Sequence, residues 1–187
     1  NSTNFFFNRG SNIHTVNALV TLEEIYNGSL KKYKINAKRY NSRGQMFTKE
    51  NILEIQLKRG WKDGTKITFN HEGDQLHPQS LPQNIQFIIK VKNHHFFKRA
   101  NDDLHCMCDI TLKDALIGGE IQFRHLDGKI MKKKYNGVID PNRKIIIQNK
   151  GMPNFRTKIN GNLVISFNIL FPEYLNEEQE KAISNIL

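Results

Sequence analysis

The chain nearly repeats itself, and this repetition limits the folds it can adopt more than any other feature. The segment Thr21–Gly28 (TLEEIYNG) is echoed by Thr111–Gly118 (TLKDALIG), and strand-like residues follow each copy. A second echo lies further along each half, where Asn84–Ile89 resembles Asn162–Phe167. Self-similarity at a long period is typical of tandem copies of one structural unit. The sequence therefore predicts two related units that form a shaped binding surface rather than one buried active site.

Short runs of alternating apolar and polar residues occur in both halves and predict strands. The runs are Val16–Val20, Tyr33–Ile35, Leu53–Leu57, Ile67–Phe69, Ile85–Val91, Leu104–Ile110, Ile121–Phe123, Ile145–Ile147 and Leu163–Phe171. Thr21 and Thr111 are typical helix caps, and Gly28 and Gly118 are typical helix ends, so a short helix is predicted after each threonine. The predicted fold is mainly β, with two tandem related β-sandwich-like domains and short helices.

The predicted domain boundaries follow changes in composition. Residues 1–12 are expected to be a linker remnant, 13–92 a first domain and 93–171 a second, with Asn93–Arg99 as the junction. Residues 172–187 are expected to carry a C-terminal helix capped by Asn176. Its apolar residues fall on one stripe, namely Ala182, Ile183, Ile186 and Leu187. An apolar stripe on a terminal helix predicts an oligomerisation element.

The chain is basic, with 28 Lys and Arg against 18 Asp and Glu and a formal net charge of +10. This balance favours anionic partners such as nucleic acid, membrane surfaces or acidic peptide tails. Lysines that only coat the solvent face of the sheets explain the charge equally well. No stretch approaches the roughly 20 apolar residues that cross a bilayer. No secretory signal is recognisable at the start, although residue 1 need not be the native N-terminus.

The cysteines and histidines do not indicate catalysis or a metal centre. Cys106 and Cys108 are two residues apart, so on a strand they share one face and are predicted to be reduced, half-buried thiols beside Leu104 and Ile110. Such thiols fit a reducing compartment. The seven histidines lack metal-ligand spacing, and no phosphate loop or Gly-x-Ser-x-Gly motif occurs. The sequence therefore predicts no catalytic residues, no cofactor and no metal.

One run of residues resembles a known family. Gly60–Phe69 (GWKDGTKITF), followed by Glu72–Asp74, is similar to the signature of the C-terminal region of DnaJ proteins, which are J-domain heat-shock co-chaperones. Further matches stand in the same order, at Phe97–Arg99 with Asp102–Leu104, Leu112–Gly118, Leu126–Gly128, Gly151–Pro153 and Gly161–Pro172. The four Cys-x-x-Cys-x-Gly repeats of class A members are absent, so the chain resembles class B, which lacks a zinc finger.

The resemblance implies a fold, an assembly and a binding groove. It implies two stacked β-sandwich-like domains and a C-terminal dimerisation helix, in a U-shaped homodimer that holds unfolded clients. The first domain is expected to carry a shallow apolar peptide-binding groove. By match to the motif, its residues are Val16, Ala18, Lys31, Tyr33, Ile35 and Phe87. The expected partner is the acidic Glu-Glu-Val-Asp tail of the seventy-kilodalton heat-shock chaperone, with Lys31, Lys34 and Lys38 as candidates to hold its carboxylates.

Three points qualify what the family resemblance implies, two of them about the groove and one about a turn. Alternation alone allows Tyr33 and Ile35 to face the sandwich core instead of a groove. Ala18 stands where relatives usually place a larger apolar residue, which predicts a wider or weaker groove. Asn149 stands where relatives often carry glycine, and asparagine tolerates a left-handed backbone, so the turn should form.

The function predicted from the sequence is that of a co-chaperone region. It binds exposed apolar segments of unfolded clients and the acidic chaperone tail, and it delivers the clients to that chaperone. The alternative is a basic nucleic-acid-binding β protein that uses Lys132–Lys134, Lys31–Lys32 and Arg143–Lys144. No membrane partner is predicted, and the expected location is the cytoplasm, or outside the cell if export signals are missing from this fragment.

Overall fold

The structure of the chain is a computed structural model that describes residues 12–140 and 142–187. The predicted linker remnant, residues 1–12, falls outside the described residues except for Asn12. The described residues form eleven strands and three helices, which confirms the predicted mainly β fold. They divide into two compact units. Unit 1 extends to His95 and includes Pro153–Ile159, and unit 2 comprises Phe96–Met152 and Asn160–Leu187.

Both units are built from the same series of elements. Unit 1 contains β1 (Ile13–Val20), α1 (Leu22–Asn27), β2 (Ser29–Tyr40), β3 (Met46–Leu57), β4 (Lys66–Phe69) and β5 (Asn84–Val91). Unit 2 contains β6 (Phe97–Ala100), β7 (Asp103–Thr111), α2 (Leu112–Ile117), β8 (Gly118–Arg124), β9 (Ile130–Asn136), β10 (Ile145–Ile147), β11 (Leu163–Leu170) and α3 (Glu177–Ile186). Apart from β6 and α3, the second series repeats the first element by element.

The sheets follow the same topology in the two units. In unit 1 the order is β1-β5-β4, where β1 and β5 are parallel, and β2 pairs with β3 in a separate antiparallel sheet. In unit 2 the order is β10-β11-β7-β6, where β7 and β11 are parallel, and β8 pairs with β9. The single difference in strand pairing is β6, which adds to the edge of β7. The internal repeat of the sequence is therefore a repeat of topology.

The two short helices connect the sheets at equivalent places. The Thr21 side chain accepts a hydrogen bond from the Glu24 backbone, and Thr111 does the same for Asp114, so both threonines are N-caps as predicted. Gly28 and Gly118 end the helices at φ values of 77° and 92°, a region that L side chains rarely adopt. The chain therefore passes from β1 into the β2–β3 hairpin, and from β7 into the β8–β9 hairpin, through a helix of six residues.

The core of each unit lies on the inward face of its strands. The largest fully buried side chains include Phe87, Ile25, Ile55, Leu57, Ile85 and Ile89 in unit 1, and Leu104, Met152, Leu163 and Ile165 in unit 2. They are predominantly the apolar members of the alternating runs, because every second residue of a strand faces the same side. Cys106 and Cys108 lie in this core as free, buried thiols, more enclosed than the half-buried state that was predicted.

The structure corrects several details of the sequence prediction. Phe97–Ala100, expected in the junction, is strand β6 of unit 2. Residues 130–136 form β9, and β3 begins at Met46, well before the predicted run at Leu53. Pro153–Ile159 belongs to unit 1, whereas the prediction put it in the second domain. Asn149 adopts φ 59°, the left-handed conformation predicted for it.

Candidate functional site

The six residues predicted to line a groove come together in unit 1 and are called the groove residues below. Val16 on β1 is in register with Phe87 on the neighbouring strand β5. The ring of Tyr33, from β2, lies over Phe87 with 4.7 Å between ring centroids. Ala18 is on the same face of β1 as Val16, and Ile35 is on the same face of β2 as Tyr33. The site is therefore formed where the β2–β3 sheet packs on the β1-β5-β4 sheet.

Burial divides the groove residues into a base and a rim. Val16, Ala18 and Phe87 form the base, with exposed fractions of 5%, 0% and 0%. Lys31, Tyr33 and Ile35 form the rim and are half-buried. Burial raises the pKa of the Tyr33 hydroxyl, and the negative charge of Glu24 adds to the rise. Tyr33 and Ile35 therefore face the core with part of their surface and solvent with the rest, which combines the two orientations that alternation allowed.

Lys31, the only cation among the groove residues, is already held by neighbouring groups. Its Nζ lies 3.2 Å from the Glu24 carboxylate and donates a hydrogen bond of 2.6 Å to the Leu19 carbonyl oxygen. The other Glu24 oxygen accepts a hydrogen bond of 2.8 Å from the Thr21 backbone, which completes the capping box of α1. Because Lys31 faces a carboxylate, a peptide carboxylate at this rim must compete with Glu24.

The backbone edge of β1 lies next to this rim. On the side of β5, the carbonyl oxygens of Asn12 and Val20 accept hydrogen bonds from Asn84 and Lys92. Because successive carbonyl groups of a strand point to opposite sides, those of Asn17 and Leu19 point away from β5. Across residues 12–140 and 142–187, β1 pairs with β5 alone. Its other edge therefore presents backbone groups of the kind that an added strand can bind.

The three lysines proposed to hold an acidic tail do not share one face. Lys31 points towards the groove, whereas Lys34 and Lys38 occupy alternate positions on the opposite, solvent-facing side of β2. Lys34 forms an ion pair of 2.9 Å with Glu50 on β3. The Lys38 backbone N–H donates a hydrogen bond of 2.8 Å to the carboxylate of Asp74, which lies in the loop between β4 and β5. One short peptide end in the groove can therefore contact Lys31, but not all three lysines together.

The four residues predicted for dimerisation are all exposed on α3. The helix begins after the Asn176 cap, as predicted, and has no buried residue. Ile183, Ile186 and Leu187 are 40%, 80% and 86% exposed, and Ala182 is exposed beside them. The preceding segment adds Phe171 and Tyr174, which are 72% and 82% exposed. The C-terminal end of unit 2 thus presents an apolar surface larger than isolated exposed residues would give.

The described part of the chain has neither a metal-binding cluster nor a membrane-spanning helix. No group of three or more His, Cys, Asp or Glu side chains is placed to hold a metal ion in residues 12–140 and 142–187. Within the same residues, no helix has both the length and the apolar character that a membrane span requires. The contacts at the groove are ring packing of Tyr33 on Phe87, a hydrogen bond to the Leu19 backbone and the Lys31–Glu24 ion pair.

Sequence reasoning missed three contributors to the groove. Phe69 packs edge-on against Phe87 at 5.8 Å and supports the base from β4. Glu24 neutralises Lys31, and Leu19 supplies the carbonyl oxygen that binds its ammonium group. The Thr21-x-x-Glu24 capping box was visible in the sequence, but it does not reveal that the same carboxylate also reaches β2. Only the packing of α1 beside β2 brings these groups together.

The comparisons with known proteins agree with the motifs. The family model described as the DnaJ C terminal domain matches residues 14–172. The human protein DnaJ homolog subfamily B member 5 is 36% identical over 170 residues, covering 90% of this chain and 49% of the relative. The Drosophila melanogaster protein DnaJ protein homolog 1 is 38% identical, covering 90% and 50%. Protein SIS1 of Saccharomyces cerevisiae is 31% identical, covering 90% and 47%. The chain spans about half the length of these curated relatives.

Proposed function

The chain belongs to the family of DnaJ C-terminal domains, of the class B type, and on that premise we propose that it is the client-binding region of a co-chaperone. In this role it binds exposed apolar segments of unfolded polypeptides at the groove residues of unit 1. It then delivers them to the seventy-kilodalton heat-shock chaperone. It works as a homodimer without enzymatic chemistry of its own, in the cytoplasm or, if the full protein is exported, outside the cell.

The observation that carries this proposal is the position of Tyr33 and Ile35 beside the edge of β1 that faces away from β5. Both side chains are half-buried and keep apolar surface in contact with water. The adjacent edge presents the backbone groups of Asn17 and Leu19, of which the Leu19 carbonyl oxygen also accepts a hydrogen bond from Lys31. An extended peptide can add to such an edge by main-chain hydrogen bonds while its side chains contact neighbouring apolar residues. This combination suits clients of many sequences, because the backbone contacts do not depend on side-chain identity.

The base residues support the rim instead of contacting the peptide. Val16, Ala18 and Phe87 are enclosed, so a peptide reaches them only if Tyr33 moves away from the Phe87 ring. The small Ala18 side chain is 0% exposed, so it is covered by its neighbours and does not itself line the surface. The peptide-binding surface proposed here is accordingly shallow, and its contact area comes from Tyr33, Ile35 and the β1 edge.

A double substitution at the rim tests the client-binding function. Each apolar side chain that a peptide buries fully contributes about 1.5–3 kcal/mol, so Tyr33→Ser with Ile35→Ser should weaken client-peptide binding at least about tenfold. Suppression of client aggregation, measured by light scattering, should fall in parallel. The matched control is Leu30→Ser with Ile52→Ser, because these residues lie on β2 and its partner β3 but face solvent, with 47% and 60% exposure.

The outcome is informative only if the variants fold, which circular dichroism and thermal melting check. Equal suppression by the rim variant and the parent chain, with both folded, would remove the groove from the proposal. Equal loss in the rim and control variants would mean that clients bind the hairpin as a whole and not the groove face.

The proposed homodimer uses the exposed stripe of α3. Deletion of residues 176–187 should give monomers, because it removes the apolar surface formed by Ile183, Ile186 and Leu187, through which the two copies are proposed to pack. Ile186→Ser with Leu187→Ser should give the same result while keeping the helix, and Ser184→Ala with Asn185→Ala is the control on the opposite, polar side of the helix. Light scattering at several protein concentrations reports the mass. A dimer that persists after the deletion would place the interface elsewhere.

The alternative of nucleic-acid binding rests on Lys132, Lys133 and Lys134, which are all exposed on β9. Exposed lysines on a strand at the edge of a two-stranded sheet also protect that edge from pairing with other chains. Salt separates the alternatives. Binding to phosphates weakens steeply as salt is added, whereas apolar client binding persists.

A further inference from the structure

A second candidate binding surface lies in unit 1, around the ring of Phe155. The Lys158 ammonium lies 4.5 Å from the centre of this ring, and the Lys58 ammonium lies 5.8 Å from it. The two lysines are far apart in the sequence, and both belong to unit 1 because Pro153–Ile159 packs there. We call Lys58, Phe155, Arg156 and Lys158 the Phe155 cluster. It is separate from the groove residues and shares none of them.

The cluster is held by close backbone contacts. Gly60 adopts φ 83°, and a Cβ atom at this position would lie 2.1 Å from the Pro153 carbonyl oxygen and 2.8 Å from the Phe155 nitrogen. The segment itself closes through two hydrogen bonds of 2.9 Å that join Asn154 to Lys158 and to Ile159. A short, internally bonded loop therefore sits directly against the turn that carries Lys58. This arrangement fixes the backbone from which the cations project.

Among the described residues, Lys58, Arg156 and Lys158 have no carboxylate partner, in contrast to four other lysines of unit 1. Lys31, Lys32, Lys34 and Lys90 form ion pairs of 3.2, 2.6, 2.9 and 3.5 Å. Within residues 12–140 and 142–187, no carboxylate lies within ion-pair distance of Lys58, Arg156 or Lys158. The Lys158 ammonium instead donates a hydrogen bond to the Phe155 carbonyl oxygen. Positive charge without local compensation is therefore concentrated around one aromatic ring.

Apolar surface accompanies this charge. Phe155 is 38% exposed, and Ile159, at the end of the same loop, is 65% exposed. Carboxylates that approach the cluster meet cations without displacing a protein carboxylate, in contrast to the situation at Lys31. An aliphatic side chain next to those carboxylates can contact Phe155 or Ile159. The surface thus combines the two properties that an acidic peptide with apolar residues requires.

We propose that the Phe155 cluster binds carboxylate-rich peptide segments that also carry apolar side chains, at a site distinct from the groove. The proposal rests on the proposed function in one respect, since the chaperone partner is expected, from the family resemblance, to carry an acidic tail of this kind. A single-stranded nucleic acid fits less well, because stacking platforms offer successive aromatic rings to the bases. Here the Lys58 and Lys158 ammonium groups lie over the Phe155 ring, so a base that stacked on this ring would have to compete with them.

The test measures binding of a fluorescein-labelled peptide that ends in Glu-Glu-Val-Asp, by fluorescence anisotropy. Lys58→Glu with Arg156→Glu should weaken binding at least about tenfold, because charge reversal replaces attraction by repulsion at two contacts. The matched control is Lys132→Glu with Lys144→Glu, which makes the same change of net charge in unit 2. The control variant should bind within about twofold of the parent chain, since remote exposed charges are screened by salt.

A third variant separates this site from the groove. Lys31→Glu alters the groove and leaves the Phe155 cluster intact, so it should change affinity less than the cluster variant does. If Lys31→Glu abolishes binding and the cluster variant binds normally, the inference is overturned and the proposed groove site stands. If the parent chain does not bind the peptide at all, both the acidic partner and this inference fail, while client binding at Tyr33 and Ile35 is still measured by aggregation.

Two controls on the ligand complete the experiment. A peptide with Gln and Asn in place of the acidic residues should lose most of its affinity for the parent chain. Replacement of its valine by serine should weaken binding as well, because the proposal includes apolar contact with Phe155 and Ile159. An oligonucleotide of thymidines that binds more tightly than the peptide, and that the cluster variant no longer binds, would overturn the assignment to acidic peptides.

Discussion

The two units share one topology but treat the equivalent of the groove differently. When Thr21 is aligned with Thr111, the positions of Tyr33 and Ile35 correspond to Phe123 and His125. In unit 1 these rim residues are half-buried. In unit 2, Phe123 is also half-buried, but Phe96 and Phe97 pack against it with ring-centroid distances of 5.3 Å and 6.0 Å, and His125 is only 3% exposed. Phe96 and Phe97, which precede β7, therefore pack on the part of unit 2 whose equivalent in unit 1 is proposed to bind a peptide.

The difference locates the proposed client-binding function in unit 1. A repeated fold provides two potential grooves, and β6 adds to β7 through pairs such as Phe97 with Cys106. This pairing takes part of the strand edge as well as the apolar surface. Unit 2 thereby gains internal packing at a place where unit 1 keeps an accessible surface. One copy of the repeat is thus specialised for stability, and the other retains features suited to binding.

Removal of the aromatic cover in unit 2 should produce the largest effect. Phe97 is 3% exposed and packs against Phe96, Phe123 and His125. Phe97→Ala should lower the free energy of unfolding of unit 2 by roughly 3–5 kcal/mol, the range for deletion of a buried phenylalanine side chain. The half-buried Tyr33→Ala in unit 1 should cost less. Denaturant titration followed by circular dichroism measures both changes.

The single tryptophan helps to assign these transitions. Trp61 belongs to unit 1, so its fluorescence should be affected less by Phe97→Ala than the circular dichroism signal is. Equal losses for Phe97→Ala and Tyr33→Ala would contradict the contrast between a filled and an accessible groove.

The second effect concerns the contact, within unit 1, of Gly60 with the segment Pro153–Ile159. Gly60 and Gly64 have nearly the same φ, 83° and 80°, but a Cβ atom at Gly64 would meet nothing within 4 Å. Gly64→Ala should therefore cost only the left-handed backbone conformation, about 1–2 kcal/mol. Gly60→Ala should cost about 1–3 kcal/mol more, because it also forces the two backbones apart.

The same pair of variants reports on the Phe155 cluster. Gly60→Ala should weaken binding of the acidic peptide by moving Lys58 away from Phe155, whereas Gly64→Ala should leave the affinity unchanged. Thermal melting followed by Trp61 fluorescence gives the stability of unit 1. Similar melting temperatures for the two variants would mean that the loop is not required for the stability of unit 1.

The sequence predicted the regular strands because alternation directly reflects the two faces of a sheet. It missed β9, where three consecutive lysines hide the alternation, and β6, where two phenylalanines are adjacent. In the turn between β8 and β9, Gly128 takes a positive φ of 82°. Local patterns therefore predicted the presence of most elements but not the ends of strands rich in charge.

The site was less accessible to sequence reasoning than the fold. The family match brought together Val16, Tyr33 and Phe87, which are neighbours in the structure. Alternation cannot report that Ile35 is half-buried while its counterpart His125 is buried, because burial depends on the elements that pack against each position. The charge balance was also hidden, since Glu24 reaches Lys31 only after α1 packs beside β2. The Phe155 cluster depends on two distant segments that no local pattern connects.

The smallest expected effect is a dependence on pH that belongs to unit 1. Glu23 lies 3.0 Å from the His94 ring nitrogen, and its counterpart in unit 2 is Lys113. Burial raises the pKa of the Glu23 carboxyl, but a hydrogen bond from its own backbone, another from Thr21 and the nearby His94 together hold it below its ordinary value of 4.5. A carboxyl with a lowered pKa binds fewer protons in the folded state. Its contribution to stability is therefore present above pH 4.5 and is lost as the pH falls through the folded-state pKa.

This contribution can be separated from acid effects elsewhere in the molecule. Asp127 in unit 2 also has a lowered pKa, because hydrogen bonding to Lys129 and the proximity of His125 outweigh the opposing effect of burial. Melting of unit 1 should be followed through Trp61 on both sides of pH 4.5. Glu23→Gln should reduce the loss of melting temperature on acidification, and only slightly, since the carboxylate is 45% exposed. A variant with the same acid sensitivity as the parent chain would show that the Glu23–His94 contact does not link the stability of unit 1 to pH.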